Sequence, residues 1–335
     1  MASPHRRRSV LSMLRKLLSL LTGRRARLVT EPGPGLSVTA DDGVRLHVER
    51  DGLAAGDVTV VFCHGFTARL GEFDLQRPAL RARARLVFYD QRGHGSSGWG
   101  DPTHATIDQL GRDLSAVLDA EAPTGPVVLV GHSLGGMTIM ALADQRPELF
   151  GPRIVGAFLL ATSAGRLVER GLTGAVVRAM KRAGLLRVYL GSLRLFAPTW
   201  ERFRKRGTKL GSVFIRHYLF GTDDATPELV RQVQAMLEET PLTVTAAFYP
   251  TFIDHDKTPA LAALRGIPCT VLVGSADELT PLRHSQAIVD QLGPDTDFVV
   301  VPGAGHSVNI TRTQVVNDAV LRLLDRAEAR RRNVA

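Results

Sequence analysis

The sequence predicts an α/β fold, a mostly parallel sheet with helices on both faces and a helical insert in its second half. Short runs of Val, Leu and Ile recur without polar alternation, as in VTVVFC (58–63), PVVLVG (126–131) and CTVLVG (269–274). Strands of this composition are covered on both faces, which is the condition of a parallel sheet. Segments of helical period separate these runs, and between 162 and 256 the alternation stops.

Taken in order, the chain begins with a basic leader, residues 1–30, holding Arg6, Arg7, Arg8, Arg15, Lys16, Arg24, Arg25 and Arg27 and no acid. As a helix it places Val10, Leu14, Leu17 and Leu21 on one face and Ser12, Arg15, Lys16 and Ser19 on the other. A basic amphipathic helix of this kind can lie in a membrane interface, and a floppy or surface-packed leader without membrane function is the competing reading. The expectation is peripheral contact with an anionic membrane through residues 6–27. A secretory signal is disfavoured, because Arg15–Lys16 break the apolar core and GRRAR stands where a small-residue cleavage site belongs. Arg7–Arg8 resembles a twin-arginine export signal only faintly, and the same interruption counts against it.

Two early strands follow, LSVTA (36–40) and VRLHVER (44–50), joined by the turn Asp41–Asp42–Gly43. The remaining strands are 58–63, RLVFYD (85–90), 126–131, RIVGAFLLA (153–161), 269–274 and DFVVVP (297–302). Helices fit over 106–120, where Ile107, Leu110, Leu114, Val117 and Leu118 share a face, and over 133–145, 282–292 and 308–328. The interval 162–256 has helical patterns (LVERGLTGAVVRAMKRAGLL and PELVRQVQAMLEET) and no clear strand. The expected organisation is therefore the leader 1–30, a core of 31–161 and 257–335, and a helical lid over 162–256. Open parallel sheets bind ligands at the carboxyl ends of their strands, so an insert between two such strands covers the site.

Composition narrows the class. No run of about 18 apolar residues occurs, which argues against a membrane-spanning helix. Cys63 and Cys269 sit in β-branched apolar runs and read as buried, reduced thiols. Nothing demands an oxidising compartment, and a cytoplasmic protein, associated with the inner membrane face through its leader, is expected. The leader carries +8 and residues 165–217 carry +11, so the rest of a chain of net charge +9 is −10. A basic tail and a basic insert on an acidic body, without a nucleic-acid signature, suit an anionic lipid surface, and no nucleic acid partner is expected. Asp254–His255–Asp256 reads as a junction between insert and core, and neither metal nor cofactor is expected.

The chemistry centres on VVLVGHSLGGMTIMAL (127–142). Gly131-His132-Ser133-Leu134-Gly135 is G-x-S-x-G between a buried strand and an apolar helix. A sharp strand-to-helix turn lifts a serine above the sheet edge, and small neighbours two residues away let strand and helix approach. A structural Gly-rich turn with an incidental serine is the competing reading of the pentapeptide alone. A serine alcohol needs a base, itself oriented by an acid. VVVPGAGHSVNI puts His306 in a Gly-rich loop straight after the last strand, and TVLVGSADELTP puts Asp277 three residues past another. Glu278 is the neighbouring competitor, with its side chain expected to point elsewhere. An oxyanion hole needs two donors. The N–H of Leu134 and, after the turn His64–Gly65, the N–H of Phe66 are the candidates. DQRGHGSSG (90–98) reads as a supporting loop held by Asp90 and Arg92, with no catalytic role for His94.

Together, HGFTA, DQRGHGSSG, GHSLGG, GSADELTP and PGAGH resemble the α/β-hydrolase fold superfamily, and more narrowly its capped bacterial esterase- and lipase-like members. The resemblance covers about residues 36–328. It implies an eight-stranded sheet with strand two antiparallel, a helical lid, and a nucleophile, acid and base in the chain order Ser133, Asp277, His306. The insert matches the lid in position only. Relatives that use Asp at the nucleophile position cleave other bonds. A serine implies an acyl-enzyme from an ester, thioester or amide, and the expected substrate is a carboxylic ester with an apolar acyl or lipid-like group, since the insert is rich in residues such as Val176, Leu185, Leu195, Phe196 and Trp200. C–C bond hydrolases, cofactor-free perhydrolases and ligand-sensing proteins that keep the same three residues are the alternatives.

Overall fold

The computed structural model describes residues 35–54, 58–167, 215–221 and 225–334, with scattered positions between 179 and 196. The leader, with the interfacial helix expected over 6–27, lies outside the described residues, as do Val176, Val177, Leu186, Leu190, Leu193, Trp200 and Phe203 of the insert.

Eight strands form one sheet: β1 (Leu36–Thr39), β2 (Arg45–Gly52), β3 (Thr59–Cys63), β4 (Arg85–Tyr89), β5 (Val127–His132), β6 (Ile154–Leu160), β7 (Cys269–Gly274) and β8 (Asp297–Val301). Their order is β1-β2-β4-β3-β5-β6-β7-β8. β2 runs antiparallel to both neighbours and every other pairing is parallel. All eight fall where the sequence places them. The burial pattern shows why they were legible: β3, β5, β6 and β7 are buried at every residue, whereas β2 alternates and reads as a half-exposed strand near the edge.

Successive side chains of a strand point to opposite faces, so each central strand feeds two cores. Val61, Val87 and Leu129 pack with α1 (Ile107–Glu121), α2 (Leu134–Gln145) and α5 (Leu282–Leu292). Val60, Phe62, Phe88 and Val130 pack on the other face against Val320, Leu323 and Leu324 of α6 (Thr313–Val334). The helix α1 starts where Thr106 takes the N–H of Gln109 on its hydroxyl at 3.1 Å, an N-cap that satisfies one orphan donor.

Two departures from the sequence reading have local causes. The helix expected over 308–328 is broken at Arg312 (φ −124°, ψ 46°), leaving one turn, Val308–Thr311, before α6. The Thr313 hydroxyl donates to the carbonyls of Asn309 and Ile310, offering the backbone an alternative to the helical ladder. In the insert, α3 (Pro227–Glu239) is the expected PELVRQVQAMLEE helix, capped by Thr226. The following α4 (Leu242–Ile253) was not expected, since LTVTAAFYPTFI carries β-branched residues and an internal Pro250. Its Val244, Ala247 and Phe248 pack on Leu110, Leu134 and Met137, and that burial overrides weak propensity.

The insert leaves the core at a bridge between Gly165 and Asp256, next to a 2.6 Å hydrogen bond from Lys257 N–H to the Ala164 carbonyl. His255 is buried there with Nε2 2.9 Å from the Ser163 carbonyl. This is the junction expected of Asp254–His255–Asp256. Among the described residues no helix is long and apolar enough to cross a membrane, and both cysteines are free and buried.

Candidate active site

The carboxyl ends of β3, β5, β7 and β8 converge on one point, and each supplies a loop to it. At the end of β5 the backbone of Ser133 takes φ 50°, ψ −113°, and α2 begins at the next residue. A non-glycine residue at positive φ is strained, and strain of this kind persists where surrounding structure imposes it. Here the imposing contacts are visible. The Ser133 N–H donates to the Leu160 carbonyl at 2.9 Å, and the Ser133 carbonyl accepts the Thr162 hydroxyl at 2.7 Å. Strand and helix meet so closely that a Cβ on Gly131 would lie 2.5 Å from the Gly135 carbonyl oxygen. A Cβ on Gly135 would lie 1.9 Å from that of Cys63. The small residues of G-x-S-x-G are required by these approaches.

His306 lies in the loop after β8 and Asp277 in the loop after β7, both at most 5% exposed. His306 Nδ1 is 2.8 Å from Asp277 Oδ2. The Leu279 and Thr280 N–H groups, each at 2.9 Å, donate to Asp277 Oδ1, and the Thr280 hydroxyl donates to Oδ2 at 2.8 Å. Burial pushes the Asp277 carboxyl up, but His306 and the Thr280 donors outweigh it and hold it below the usual carboxylate range. An ionised Asp277 keeps the proton of His306 on Nδ1 and leaves Nε2 as the acceptor. Glu278 points outward and lies 3.5 Å from His217, so it takes no part in this pair. The Ser133 hydroxyl has no hydrogen-bond partner among the described residues; its neighbour His132 reaches His306 from this strand, with Nε2 3.1 Å from the His306 carbonyl oxygen.

The loop after β3 completes the site. Gln91 N–H donates to His64 Nε2 at 2.9 Å, so Nδ1 carries the proton and donates to the Gly65 carbonyl at 2.8 Å. Gly65 N–H donates to Glu72 Oε2 at 2.8 Å. With Gly65 held at both ends, the next N–H, that of Phe66, is used by no protein group among the described residues, and the same holds for Leu134 N–H at the start of α2. Both N–H groups are therefore available to an oxygen atom of a ligand, which is the property an oxyanion hole requires. The Phe66 ring stands edge-on to Phe252 at 4.9 Å between centroids and 6.1 Å from Phe248, so α4 roofs this turn with apolar surface.

The insert also grips the base loop. Ser307 N–H donates to the Leu219 carbonyl at 2.7 Å and Gly305 N–H to the Phe220 carbonyl at 3.2 Å. DQRGHGSSG serves as expected: Asp90 accepts the N–H groups of Leu70 and Ser96, and Arg92 is buried between Asp42 and Asp113. His94 is buried with Nδ1 against the Arg92 carbonyl. Glu72, His132, Thr162 and Thr280 were missed by sequence reasoning. Only His132 carried a signal, its place inside G-x-S-x-G, and its partner lies sixty residues earlier. Among the described residues no cluster of His, Cys, Asp and Glu could hold a metal ion.

Burial holds His64 and His94 in the neutral form, moving the first from the ordinary 6.5 to about 4 and the second to about 3. Groups whose folded-state value is depressed bind protons better once unfolded, so their contribution to stability is present above about 6.5 and is lost as pH falls toward 4. His255 and His284 shift in the same direction and His132 in the opposite one. The expected result is a urea midpoint that drops steeply between pH 7 and pH 5. A flat midpoint over that interval would contradict the neutral assignment of these rings.

The description that matches the chain is that of the alpha/beta hydrolase family, over residues 60–319. A Caulobacter sp. (strain K31) protein that carries the name of a carbamate hydrolase is 26% identical over 283 residues, 83% of this chain and 94% of that one. The mouse sn-1-specific diacylglycerol lipase ABHD11 is 27% identical over 282 residues, 81% and 83% of the two chains. The chain spans only 64% of the acetyltransferase component of an acetoin cleaving system from Pseudomonas putida, to which it is 25% identical. Among solved structures, a hydrolase from Pseudomonas aeruginosa PA01 superimposes with a TM-score of 0.66 at 26% identity, covering 88% of this chain and 99% of that one.

Proposed function

The chain belongs to the alpha/beta hydrolase family and is a hydrolase, and from that premise we propose that it cleaves carboxylic esters with an apolar acyl group through an acyl-enzyme on Ser133. The observation that carries this reading is the buried 2.8 Å contact between Asp277 and His306, together with a serine held at φ 50° whose preceding residue, His132, reaches the His306 carbonyl. In the proposed sequence Ser133 Oγ attacks the ester carbonyl carbon while His306 Nε2 takes its proton. The developing oxyanion accepts hydrogen bonds from the N–H groups of Phe66 and Leu134. The tetrahedral adduct collapses, its bond to the alkoxy oxygen breaks, and His306 returns the proton to the leaving alcohol. Water, deprotonated by His306, then releases the acid and restores the serine. Asp277 holds the Nδ1–H of His306 throughout and steadies the imidazolium.

The apolar side of the substrate is supported by Phe66 and Phe252, the partly buried side chains packed on the core cluster of Leu134, Met137 and Phe248. The insert 162–256 is proposed as a lid, since it contacts both the oxyanion turn and the His306 loop. Lipid-like esters fit the basic charge of the insert and the leader, and contact with anionic membrane through residues 6–27 belongs to the same proposal. The test is a p-nitrophenyl ester series of rising acyl length. Turnover should rise from acetate to medium chains, and the longest ester should be cleaved faster in vesicles containing phosphatidylglycerol than in phosphatidylcholine alone. No turnover at any length would overturn the ester reading, and equal rates in the two vesicles would remove the membrane contact.

A further inference from the structure

We propose that Glu72 and His132 form a buried positioning pair that holds the oxyanion turn and the His306 loop in register with Ser133. Glu72 lies on the 3-10 turn Leu70–Phe73 and His132 ends β5; they are 3% and 2% exposed. Glu72 Oε1 is 2.8 Å from His132 Nδ1. The outer atoms of the pair reach the two loops. Glu72 Oε2 accepts the N–H of Gly65, one residue before the Phe66 donor, and His132 Nε2 donates to the carbonyl of His306 itself. A carbonyl only accepts, so Nε2 bears a proton, and the carboxylate facing Nδ1 favours a second.

The surroundings support an ionised pair. Burial disfavours both charges, yet the His132 imidazole is held above its ordinary range by Glu72 and the Glu72 carboxyl below its own by His132. His64 and Arg69 also act on this cluster from the β3 side, and Asp277 from the β7 side. The Glu72 carbonyl accepts Asn309 Nδ2 at 3.2 Å, joining the turn to the residues just past His306. The rings of His132 and His306 are 4.8 Å apart between centroids. Room for the pair depends on Gly65, where a Cβ would lie 2.8 Å from His132 Nδ1.

A buried ion pair is weak evidence for stability, because apolar residues of similar volume often serve as well. What distinguishes this one is that its bonds end on the oxyanion turn and on the base, and that one member directly precedes the nucleophile. Misplacing reacting groups by about an ångström can cost two orders of magnitude in rate. The pair is therefore assigned to geometry of the reaction rather than to folding.

This rests on the serine-hydrolase reading, and the experiment separates the two. Glu72→Met and Glu72→Gln have similar volumes, but only glutamine can accept from Gly65 and donate to His132. His132→Met and His132→Gln contrast in the same way toward the His306 carbonyl. Turnover is measured per active site, titrated with a fluorophosphonate. The methionine variants should lose about tenfold or more in kcat with KM within twofold, and the glutamine variants should recover most of it. Amide hydrogen exchange should quicken in both 64–67 and 303–307 in Glu72→Met, although 303–307 lies across the site. Unchanged kcat per site in both methionine variants would overturn the proposal. So would failure of both to fold, which would make the pair structural. If the wild-type protein turns over no ester, the ester reading falls, and the exchange of 303–307 still decides on the pair.

Discussion

Replacing Ser133 by alanine should lower ester turnover at saturating substrate about a thousandfold or more while leaving KM within a few-fold. The loss corresponds to about 4 kcal/mol of transition-state stabilisation, at about 1.4 kcal/mol for each factor of ten. It should not be complete, because the donors proposed to bind the oxyanion are backbone N–H groups of Phe66 and Leu134 that the substitution leaves in place. Alanine has the same Cβ as serine, so it meets the positive φ at this position with the same strain, and the fold should be retained. Steady-state kinetics on the best p-nitrophenyl ester, with a urea midpoint as the control, make the measurement. Turnover equal to wild type with the fold intact would remove Ser133 from the reaction.

The largest stability effect is expected at a residue that never meets substrate. Arg92 is 1% exposed and its guanidinium contacts Asp113 through Nε and Nη2, each at 2.6 Å, and Asp42 through Nη1 at 2.7 Å. Asp113 is fully buried, and burial pushes its carboxyl up while Arg92 pulls it down. Removing the guanidinium leaves that carboxylate, among the described residues, with only a 3.3 Å contact from Gln109 Nε2. Breaking one side of a buried pair typically costs 3–5 kcal/mol, so Arg92→Ala should lower unfolding stability by about that amount. Urea denaturation at pH 7 reads it directly, and a change below about 1 kcal/mol would mean that the loop 90–98 does not depend on this cluster. Because the same loop supplies Gln91 to His64, lost stability here should also loosen the oxyanion turn.

Much of the site was legible before any coordinates. Ser133, Asp277, His306, Phe66 and Leu134 each follow a strand whose apolar run identifies it, and the ends of parallel strands converge in space whatever the chain between them does. That geometric necessity is why loops from about thirty to about 240 residues apart can be assigned to one point. Position alone favours Asp277 over Glu278, and the 2.8 Å contact of Asp277 with His306, against the outward contact of Glu278 with His217, supports the same choice.

What the sequence by itself determined is everything carried by local pattern: the eight strands, the amphipathic helices of the core, the turn that strains a serine, and the reduced state expected of Cys63 and Cys269. Tertiary structure alone decided what depends on partners distant in the chain. Glu72 is an acid between Gly71 and Phe73, and His132 the variable residue of G-x-S-x-G, until β3 and β5 lie in parallel and bring the loop after one against the end of the other. The helix α4, built from β-branched residues around Pro250, exists because Phe248 and Val244 find a buried surface over Phe66 and Leu134. Propensity and period are properties of neighbours along the chain. A buried ion pair or a roof over a loop is a property of neighbours in space, and its signal is absent from any single stretch of sequence.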